Sequence, residues 1–326
     1  MTKKLIDFQN DEEMELFVLI KNAEKRVTKT GKDFISLVFQ DRSGEIRGNY
    51  WDATATDFEQ FQSGRVVLLK GKRETYKGAP QVKIMAMRLA TEEEPADPTA
   101  YTEKAPVSVT ELREAFAQLV FEISNPDWNR VVRYLLKKYD QQFFDFPAAK
   151  SNHHAFEGGL AFHTLSIVKL AKAVAQQYEN IDQSLLIAGA ILHDLGKTIE
   201  LSGPVATQYT VEGNLLGHIV IIDEEVVEAA QALKIDPNGE SLVILRHLLV
   251  SHHGLREYGS PIEPHMLEAV VLITVNLLPR VVIRLGRDIR AGPLNQRYSK
   301  LRPPQSRRSV PIASSSPNAA AHRFRR

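Results

Sequence analysis

His193 and Asp194 stand side by side in the run Leu-His-Asp-Leu-Gly-Lys at residues 192–197, and these residue types indicate metal chemistry. An imidazole is the commonest side-chain metal ligand, and an adjacent carboxylate suits harder divalent ions such as Mn²⁺, Mg²⁺ or Fe²⁺. Neighbours in a helix do not share a face, so both side chains reach one ion only where the helix loosens. The apolar run at residues 184–192 predicts a buried helix that ends at this pair, with Gly196 as its stop.

Other histidines lie at the ends of other predicted helices. His163 and His218 each open an amphipathic segment with apolar residues at helical steps. An apolar run at residues 241–250 ends in His252 and His253. Each histidine taken singly fits a structural or surface role, but helical bundles build metal sites from inward-facing side chains of different helices. The combination therefore predicts one metal centre with the candidate ligands His163, His193, Asp194, His218, His252 and His253.

Four further histidines are weaker candidates. His153 and His154 fit a supporting or capping role before Gly158 better than direct ligation. His247 lies within a predicted helix and His265 follows a proline, so both are interpreted as bystanders.

The order of the stronger candidates resembles the HD superfamily of metal-dependent phosphohydrolases. The strings at residues 147–164, 193–197 and 251–261 resemble the YhaM family of 3′→5′ exoribonucleases, and the resemblance spans about residues 10–272. It implies stepwise removal of nucleotides from single-stranded RNA, with single-stranded DNA as a second substrate. It also implies a divalent ion, Mn²⁺ first and Co²⁺ or Mg²⁺ as alternatives, and self-association into a homo-oligomer.

Phosphodiester hydrolysis needs a nucleophilic water near neutral pH and a means of offsetting charge on the phosphoryl oxygens, and one or two divalent ions provide both. We expect His163, His193 and Asp194 to be primary ligands. The remaining three histidines would complete a second position or contact phosphate. Two residues are predicted to be catalytic: Asp194 would bridge two metals or orient the water, and Lys197, by resemblance, would point at the scissile phosphate.

The chain departs from the family after the His-His pair. HD proteins close their metal site with an Asp on a later helix, which YhaM-like chains carry in a segment similar to Ile-Asp-Asn-Leu-Asp. The corresponding run at residues 274–280 has Val275 at the first acid and Leu278 at the second. Loss of a carboxylate ligand predicts weaker metal binding and slower turnover, with Asn276 as a partial oxygen substitute.

Residues 1–90 predict a small β-barrel of the OB-fold class, because five alternating segments are joined by strong turns and a short helix precedes the fourth. Such barrels stack bases on aromatic side chains beside basic ones. An aromatic residue in a strand fits the barrel core equally well, whereas the basic hairpin cluster is expected to be exposed. The candidate nucleic-acid-binding residues are Phe34, Tyr50, Trp51, Lys72, Arg73, Tyr76 and Lys77.

The rest of the chain divides by composition. Residues 91–107 are acidic, contain proline and lack a period, which predicts a linker. Residues 108–285 predict an all-α HD-type domain that begins at a helix cap near Ser108. Residues 286–326 are rich in Arg, Pro and Ser, which predicts a disordered basic tail. The tail is either an RNA-affinity arm or a divergent segment foreign to the fold.

Composition limits the function classes. A chain of 326 residues has room for two domains, and without cysteine it has neither disulfides nor zinc-thiolate sites. An apolar signal or membrane-spanning run is lacking in the sequence, so a cytoplasmic protein without membrane contact is expected. Ten of the 41 Lys and Arg lie in residues 287–326 beside a single Asp, which leaves the rest with a net charge of −8. Nucleic-acid binding must therefore rely on local patches.

Two other functions stay open. One is an HD phosphohydrolase acting on a nucleotide or cyclic dinucleotide, although the chain lacks a Gly-Tyr-Pro signature after the His-Asp pair and a small substrate needs no OB module. The other is a catalytically impaired RNA-binding protein, which the replacement at Val275 motivates.

Overall fold

The structure is a computed structural model that describes residues 3–150 and 156–290. Its N-terminal part is a closed barrel of five strands in the order β1-β2-β3-β5-β4. β3 and β5 pair in parallel and the other neighbours are antiparallel, which is the OB-fold arrangement. The predicted fold class and the helix before the fourth strand are therefore confirmed. The elements are β1 (Glu13–Val27), β2 (Asp33–Asp41), β3 (Gly44–Trp51), α1 (Ala55–Gln60), β4 (Val66–Tyr76) and β5 (Ala79–Leu89).

Residue alternation and two turns fix this barrel. Every second residue of β2 is buried in its core, including Ile35, Leu37 and Phe39. Oδ1 of Asp41 accepts the backbone N–H of Ser43 at 2.7 Å, which closes the turn into β3. The β4–β5 hairpin turns at residues 77 and 78, both with positive φ (50° and 79°), as a two-residue hairpin with a type I′ turn requires.

The segment predicted as a linker is packed against the barrel. Asp97 caps a 3₁₀ turn, Pro98–Tyr101, and the Tyr101 ring is buried against Leu19 and Val66. The Tyr101 hydroxyl donates to the carbonyl of Pro95 at 2.7 Å. The segment attaches to the barrel through this buried aromatic side chain. Because the segment has no hydrophobic period, its sequence did not indicate the attachment.

The part after residue 107 is helical, as predicted. A capping box starts it, because the Ser108 hydroxyl accepts the N–H of Glu111 and the Glu111 carboxylate accepts the N–H of Ser108. The helices are α2 (Val109–Phe121), α3 (Pro126–Lys138), α4 (Asp140–Asp145), α5 (Gly159–Ala175), α6 (Gln183–Leu192), α7 (Lys197–Glu200), α8 (Val211–Leu215), α9 (Gly217–Ala232), α10 (Glu240–Ser251) and α11 (Leu267–Arg290), with a 3₁₀ turn at Arg256–Tyr258.

Helix α6 is the centre of the helical core. All its residues from Leu185 to Leu192 are buried, and it packs against α3, α5 and α10. A helix that is apolar on every side can only be stable inside the protein. Close packing includes the backbone, since a Cβ at Gly189 would lie 2.6 Å from a methyl of Leu248. The C-terminus of α6 is therefore held rigidly in the interior.

A short hairpin after α7 contacts the barrel. Leu201 and Tyr209 form an isolated antiparallel bridge, and Val205 lies near the tip between them. Val205 packs with Leu19, Val66 and Tyr101, so barrel and helical part share a small apolar cluster. The hairpin begins directly after Glu200, the last residue of α7.

Helix α11 continues through Gly286 to Arg290, five residues into the segment predicted as a tail. Its buried residues Ala269, Leu272 and Val275 fix the first turns, and the Leu, Ile and Arg residues that follow are favourable in helices. Residues 291–326, which hold most of the predicted tail, lie outside the described residues. Within residues 3–150 and 156–290, α11 included, none of the helices is long and apolar enough to cross a bilayer.

Candidate metal centre

The predicted ligands lie near the ends of four helices. His163 is in the first turns of α5, His218 is the second residue of α9, and His193 and His252 are the C-caps of α6 and α10. The chain leaves the helical path after His193 and makes a tight turn in which the N–H of Lys197 donates to the carbonyl of Asp194 at 3.0 Å. This turn lets the adjacent His193 and Asp194 side chains face each other, with Nε2 and Oδ2 at 3.4 Å.

Asp194 lies between two pairs of imidazoles. Its Oδ2 is 3.4 Å from Nε2 of His163 and 3.4 Å from Nε2 of His193. Its Oδ1 is 3.5 Å from Nε2 of His218 and 3.9 Å from Nε2 of His252. Two groups of metal-ligating atoms result, each with its members within 4.8 Å of one another: His163, His193 and Asp194 in one, and His218, His252 and His253 in the other.

Backbone carbonyls set the tautomers of three of these histidines. Nδ1 donates to Ala190 O at 2.8 Å in His193 and to Leu249 O at 2.6 Å in His252. Nδ1 of His253 donates to Tyr258 O at 2.8 Å. A carbonyl only accepts, so Nδ1 carries the proton and Nε2 keeps its lone pair. This is the form in which an imidazole binds a metal ion.

The donor atoms fit a divalent cation. Among the described residues, Nε2 of His193, His218 and His252 and Oδ1 of Asp194 are buried and have no hydrogen-bond donor or acceptor as partner. Buried polar atoms are nearly always satisfied, so four adjacent exceptions point to a bound group. Imidazole nitrogens with carboxylate oxygen suit first-row divalent ions, and the chain has no cysteine that would favour softer ones.

Burial and charge keep these groups in ligating form. Burial lowers the pKa of His163 to about 3 and lowers the pKa of His252 well below its usual value. Burial raises the pKa of Asp194, but the charge of Lys197 and the interaction with His193 outweigh it and leave that pKa well below its usual value. Near neutral pH both imidazoles are neutral and the carboxylate is ionised.

Lys197 is buried beside the carboxylate. Its Nζ donates to Oδ2 of Asp194 at 2.7 Å. The predicted contact between Lys197 and a scissile phosphate stays a prediction, but the ammonium group is within reach of the centre.

Glu200 is a site residue that sequence reasoning missed. Its Oε1 accepts Nδ1–H of His218 at 2.9 Å, and it also accepts the backbone N–H of His218 at 3.1 Å. The signal available in the sequence was its position three residues after Lys197, which places both side chains on one side of a single helical turn.

The comparisons with known proteins agree with this geometry. The HD domain profile matches residues 160–273, and a TraI_2 helicase profile matches residues 108–182. The 3′-5′ exoribonuclease YhaM of Listeria monocytogenes is 45% identical over 278 residues, which cover 85% of this chain and 88% of that protein. The same figures hold for the proteins of that name from Listeria innocua and Listeria welshimeri. This chain belongs to the YhaM family of 3′-5′ exoribonucleases. The family resemblance is therefore confirmed.

One solved structure in the comparison is the second OB-fold domain of replication protein A from Methanococcus maripaludis. It is 15% identical, covers 28% of this chain and 97% of that chain, and has a TM-score of 0.23. The OB-fold assignment of this YhaM-family chain rests on the strand order of its own barrel instead.

The departures from the YhaM pattern lie on α11. Val275 is buried in the apolar core with Leu272, and Leu278 is exposed. Asn276 is buried, and its Oδ1 lacks a hydrogen-bond partner among the described residues. No carboxylate is thus present at the two positions where the family pattern has acids.

The other predicted histidines lie apart from these groups. The backbone N–H of His265 donates to Nε2 of His247 at 3.0 Å, and neither residue belongs to the two ligand groups. His153 and His154 lie outside the described residues.

Three of the predicted nucleic-acid-binding aromatics present an exposed or half-buried ring. Phe34 and Trp51 lie opposite each other on β2 and β3, with ring centroids 4.7 Å apart, and Trp51 is 57% exposed. Tyr76 is exposed on the β4–β5 hairpin, and Nζ of Lys77 lies 5.5 Å from its ring centroid.

The other three candidates on the barrel have structural contacts. Tyr50 packs edge-on against Phe61 at 5.4 Å, beside the barrel core. The Arg73 guanidinium donates to the carbonyl of Leu5 at 3.2 Å. Lys72 pairs with Asp11 at 3.0 Å.

Proposed function

We propose that this protein removes nucleotides stepwise from the 3′ end of single-stranded RNA by metal-dependent hydrolysis, with Mn²⁺ as the ion. The observation that carries the proposal is Asp194, whose two carboxylate oxygens each face two imidazole Nε2 atoms. Co²⁺ and Mg²⁺ are the alternative ions, and single-stranded DNA is the second substrate to test.

The two ligand groups would hold the ions. His163, His193 and Asp194 would hold one ion, and His218, His252 and His253 would hold the other. Ions bound there would lower the pKa of a water and offset charge on the phosphoryl oxygens. Asp194 and Lys197 are the residues we assign to catalysis.

The residues of this chain prepare that chemistry before substrate arrives. The carbonyls of Ala190 and Leu249 hold two imidazoles in the ligating tautomer, so no ring has to turn or change its proton. Lys197 contributes a positive charge in an interior of low dielectric constant, where it attracts phosphate more strongly than in water. Released from Asp194, its ammonium would contact a non-bridging phosphate oxygen.

The barrel would hold the RNA upstream of the scissile bond. Exposed Trp51 and Tyr76 offer ring faces on which bases stack irrespective of sequence, with Lys77 beside the second ring. Phe34 supports the Trp51 ring from the neighbouring strand. Lys72, and less directly Tyr50 and Arg73, complete the candidate surface. A cytoplasmic location and self-association complete the proposal.

The test is incubation of the full chain with 5′-labelled single-stranded RNA and DNA, with Mn²⁺, Co²⁺, Mg²⁺ or a chelator. A ladder of shortening labelled products that requires the ion is expected, and His193→Ala should abolish it. If the protein hydrolyses a mononucleotide or cyclic dinucleotide and leaves the RNA intact, it is instead an HD phosphohydrolase of small nucleotides. Tight RNA binding without any metal-dependent product would favour the impaired protein that Val275 motivates.

A further inference from the structure

We propose that Glu200 is a positioning residue, which fixes the ring of His218 so that its Nε2 points into the metal centre. The proposal rests on the proposed function, because it takes His218 as a metal ligand. Glu200 itself does not face the ion: its carboxylate acts on the opposite nitrogen of the ring.

Glu200 forms two hydrogen bonds with His218. Oε1 of Glu200 accepts both the ring Nδ1–H of His218, at 2.9 Å, and its backbone N–H, at 3.1 Å. The first bond sets the tautomer, since an ionised carboxylate only accepts. The second fixes the main chain from which the ring projects. Nε2 is then left with its lone pair 3.5 Å from Oδ1 of Asp194.

Glu200 replaces the carbonyl that orients the other histidines. His193 and His252 follow helical turns whose own carbonyls, at Ala190 and Leu249, accept their Nδ1–H three residues back. His218 is the second residue of α9, and Gly217 before it has a positive φ of 74°, so the chain leaves the helical path between α8 and α9. Here the acceptor is a side chain of another element, Glu200 of α7.

The same carboxylate stabilises the start of α9. The N-cap residue of this helix, Leu216, makes no side-chain capping bond, so the first N–H groups need acceptors from elsewhere. A negative charge at this end is also favoured by the helix dipole.

Close backbone contacts hold α7 and the residue before it against α8 and α9. A Cβ at Gly196 would lie 2.3 Å from the carbonyl oxygen of His218, and one at Gly213 would lie 2.2 Å from the carbonyl oxygen of Glu200. Neither glycine accepts a larger residue without moving the backbone. The single turn of α7 thus presents Lys197 to Asp194 and Glu200 to His218 at fixed distances.

Metal affinity is the first measurement, with Mn²⁺ alone as the probe and free Mn²⁺ followed by electron paramagnetic resonance. Residues that hydrogen-bond to the far nitrogen of a metal-bound histidine typically contribute about 10–100-fold to metal affinity, and we expect Glu200→Ala to lose that much. Glu200→Gln keeps an oxygen acceptor and should lose less than about tenfold. The matched control is Glu225→Ala, because Glu225 and Glu200 are both 8% exposed and Glu225 lies on the same helix as His218 but pairs with Lys138.

The second measurement is the tautomer of His218, read from the ring ¹⁵N shifts of the metal-free protein. The Nδ1–H form is expected in the original chain, in Glu200→Gln and in Glu225→Ala, and a shift toward Nε2–H in Glu200→Ala. A merely structural role for Glu200 would leave the tautomer unchanged, and that result overturns the proposal even if the variant is less stable.

A double-mutant cycle separates this inference from the proposed function. If Glu200 acts through His218, adding Glu200→Ala to His218→Ala lowers Mn²⁺ affinity no further. A further loss, or an unchanged affinity in Glu200→Ala beside a reduced one in His218→Ala, overturns the positioning role alone. An unchanged affinity in His218→Ala overturns both the ligand assignment and the inference that depends on it.

Discussion

Lys197 and Asp194 form an ion pair in the protein interior, with Nζ 2.7 Å from Oδ2 and both side chains buried. That oxygen is also the one that His163 and His193 face. A buried ion pair stabilises a protein little more than apolar residues of the same size would. Removal of one partner, however, leaves an uncompensated buried charge and strongly destabilises the protein. The same ion pair therefore affects both the stability of the protein and the carboxylate of the metal centre.

Lys197→Met keeps most of the side-chain volume and removes the charge. We expect the metal-free protein to lose about 3 kcal/mol of unfolding free energy in urea, because Asp194 is left buried without its ammonium partner. Added Mn²⁺ should restore a large part of this loss by binding the folded state, while RNA hydrolysis stays impaired. The control is Lys138→Met, whose ion pair with Glu225 is one-third exposed at the lysine and should cost less. Equal losses in the two variants, or no rescue by Mn²⁺, would contradict the assignment.

Stability of the metal-free protein should fall on mild acidification. The unfolded chain binds a proton at His163 below pH 6.5, whereas the folded chain, in which the pKa of His163 is about 3, does not. The unfolded state thus binds more protons between pH 3 and pH 6.5, so unfolding free energy decreases as pH falls through this window. From pH 7.5 to 5.5 the contribution is about 1.4 kcal/mol for His163, and His252 acts in the same direction.

Urea unfolding in a chelator at the two pH values checks this. His163→Asn should flatten the pH dependence by about the same 1.4 kcal/mol. A variant with the slope of the original chain would show that His163 is not held neutral by burial.

Val275→Asp tests whether the missing carboxylate limits the centre. Val275 is 3% exposed in an apolar cluster, so a charged residue there should destabilise the metal-free protein. If residue 275 is the closing position, Mn²⁺ affinity and RNA hydrolysis should both rise, and Mn²⁺ should offset the lost stability. Val275→Thr, of similar volume and without charge, is the control. Destabilisation with no gain in either property would show that the replacement is harmless or that the closing position lies elsewhere.

The sequence predicted the elements that have their own local signals. Alternation over β2 and the glycine-containing hairpin at residue 78 were enough for the barrel, and the apolar run before His193 was enough for α6. The strands and α6 depend on neighbours in the chain, so the pattern alone carries them. The proposed ligand groups join distant helices, and they were predicted from the family resemblance together with the position of the histidines at helix ends.

Contacts between distant residues that no motif marks were not predicted. Glu200 meets His218 across 18 residues and a hairpin, and its position three residues after Lys197 indicates a shared helical face but not the partner. Tyr101 attaches its segment through Leu19 and Val66, far away in the chain. Composition suggested a tail from residue 286, whereas helix propensity continues there and α11 extends to Arg290.

Trp51→Ala should weaken binding of single-stranded RNA about 5–150-fold, since loss of one stacking platform costs about 1–3 kcal/mol. Hydrolysis of a dinucleotide, whose single phosphodiester bond would occupy the metal centre, should not change. The control is Met85→Ala, which removes an equally exposed apolar side chain from the same barrel: Met85 is 56% exposed and Trp51 is 57% exposed. Fluorescence anisotropy of labelled RNA at fixed salt gives both affinities. Equal effects of the two substitutions would show that Trp51 has no specific role in RNA binding.

Val205 tests whether the hairpin after α7 joins RNA binding to hydrolysis. Val205→Asp places a charge in the cluster with Leu19, Val66 and Tyr101, and should loosen the contact with the barrel. A barrel that is no longer held near the centre presents RNA at a lower effective concentration, so KM for long RNA should rise at least about tenfold. The rate constant for a dinucleotide should change little, because the ligands are on the helical side of the contact. Val211→Asp is the control, since Val211 is 71% exposed and a charge there remains in water. A loss of dinucleotide hydrolysis equal to the loss with RNA would mean that the hairpin supports the metal centre itself rather than the delivery of substrate.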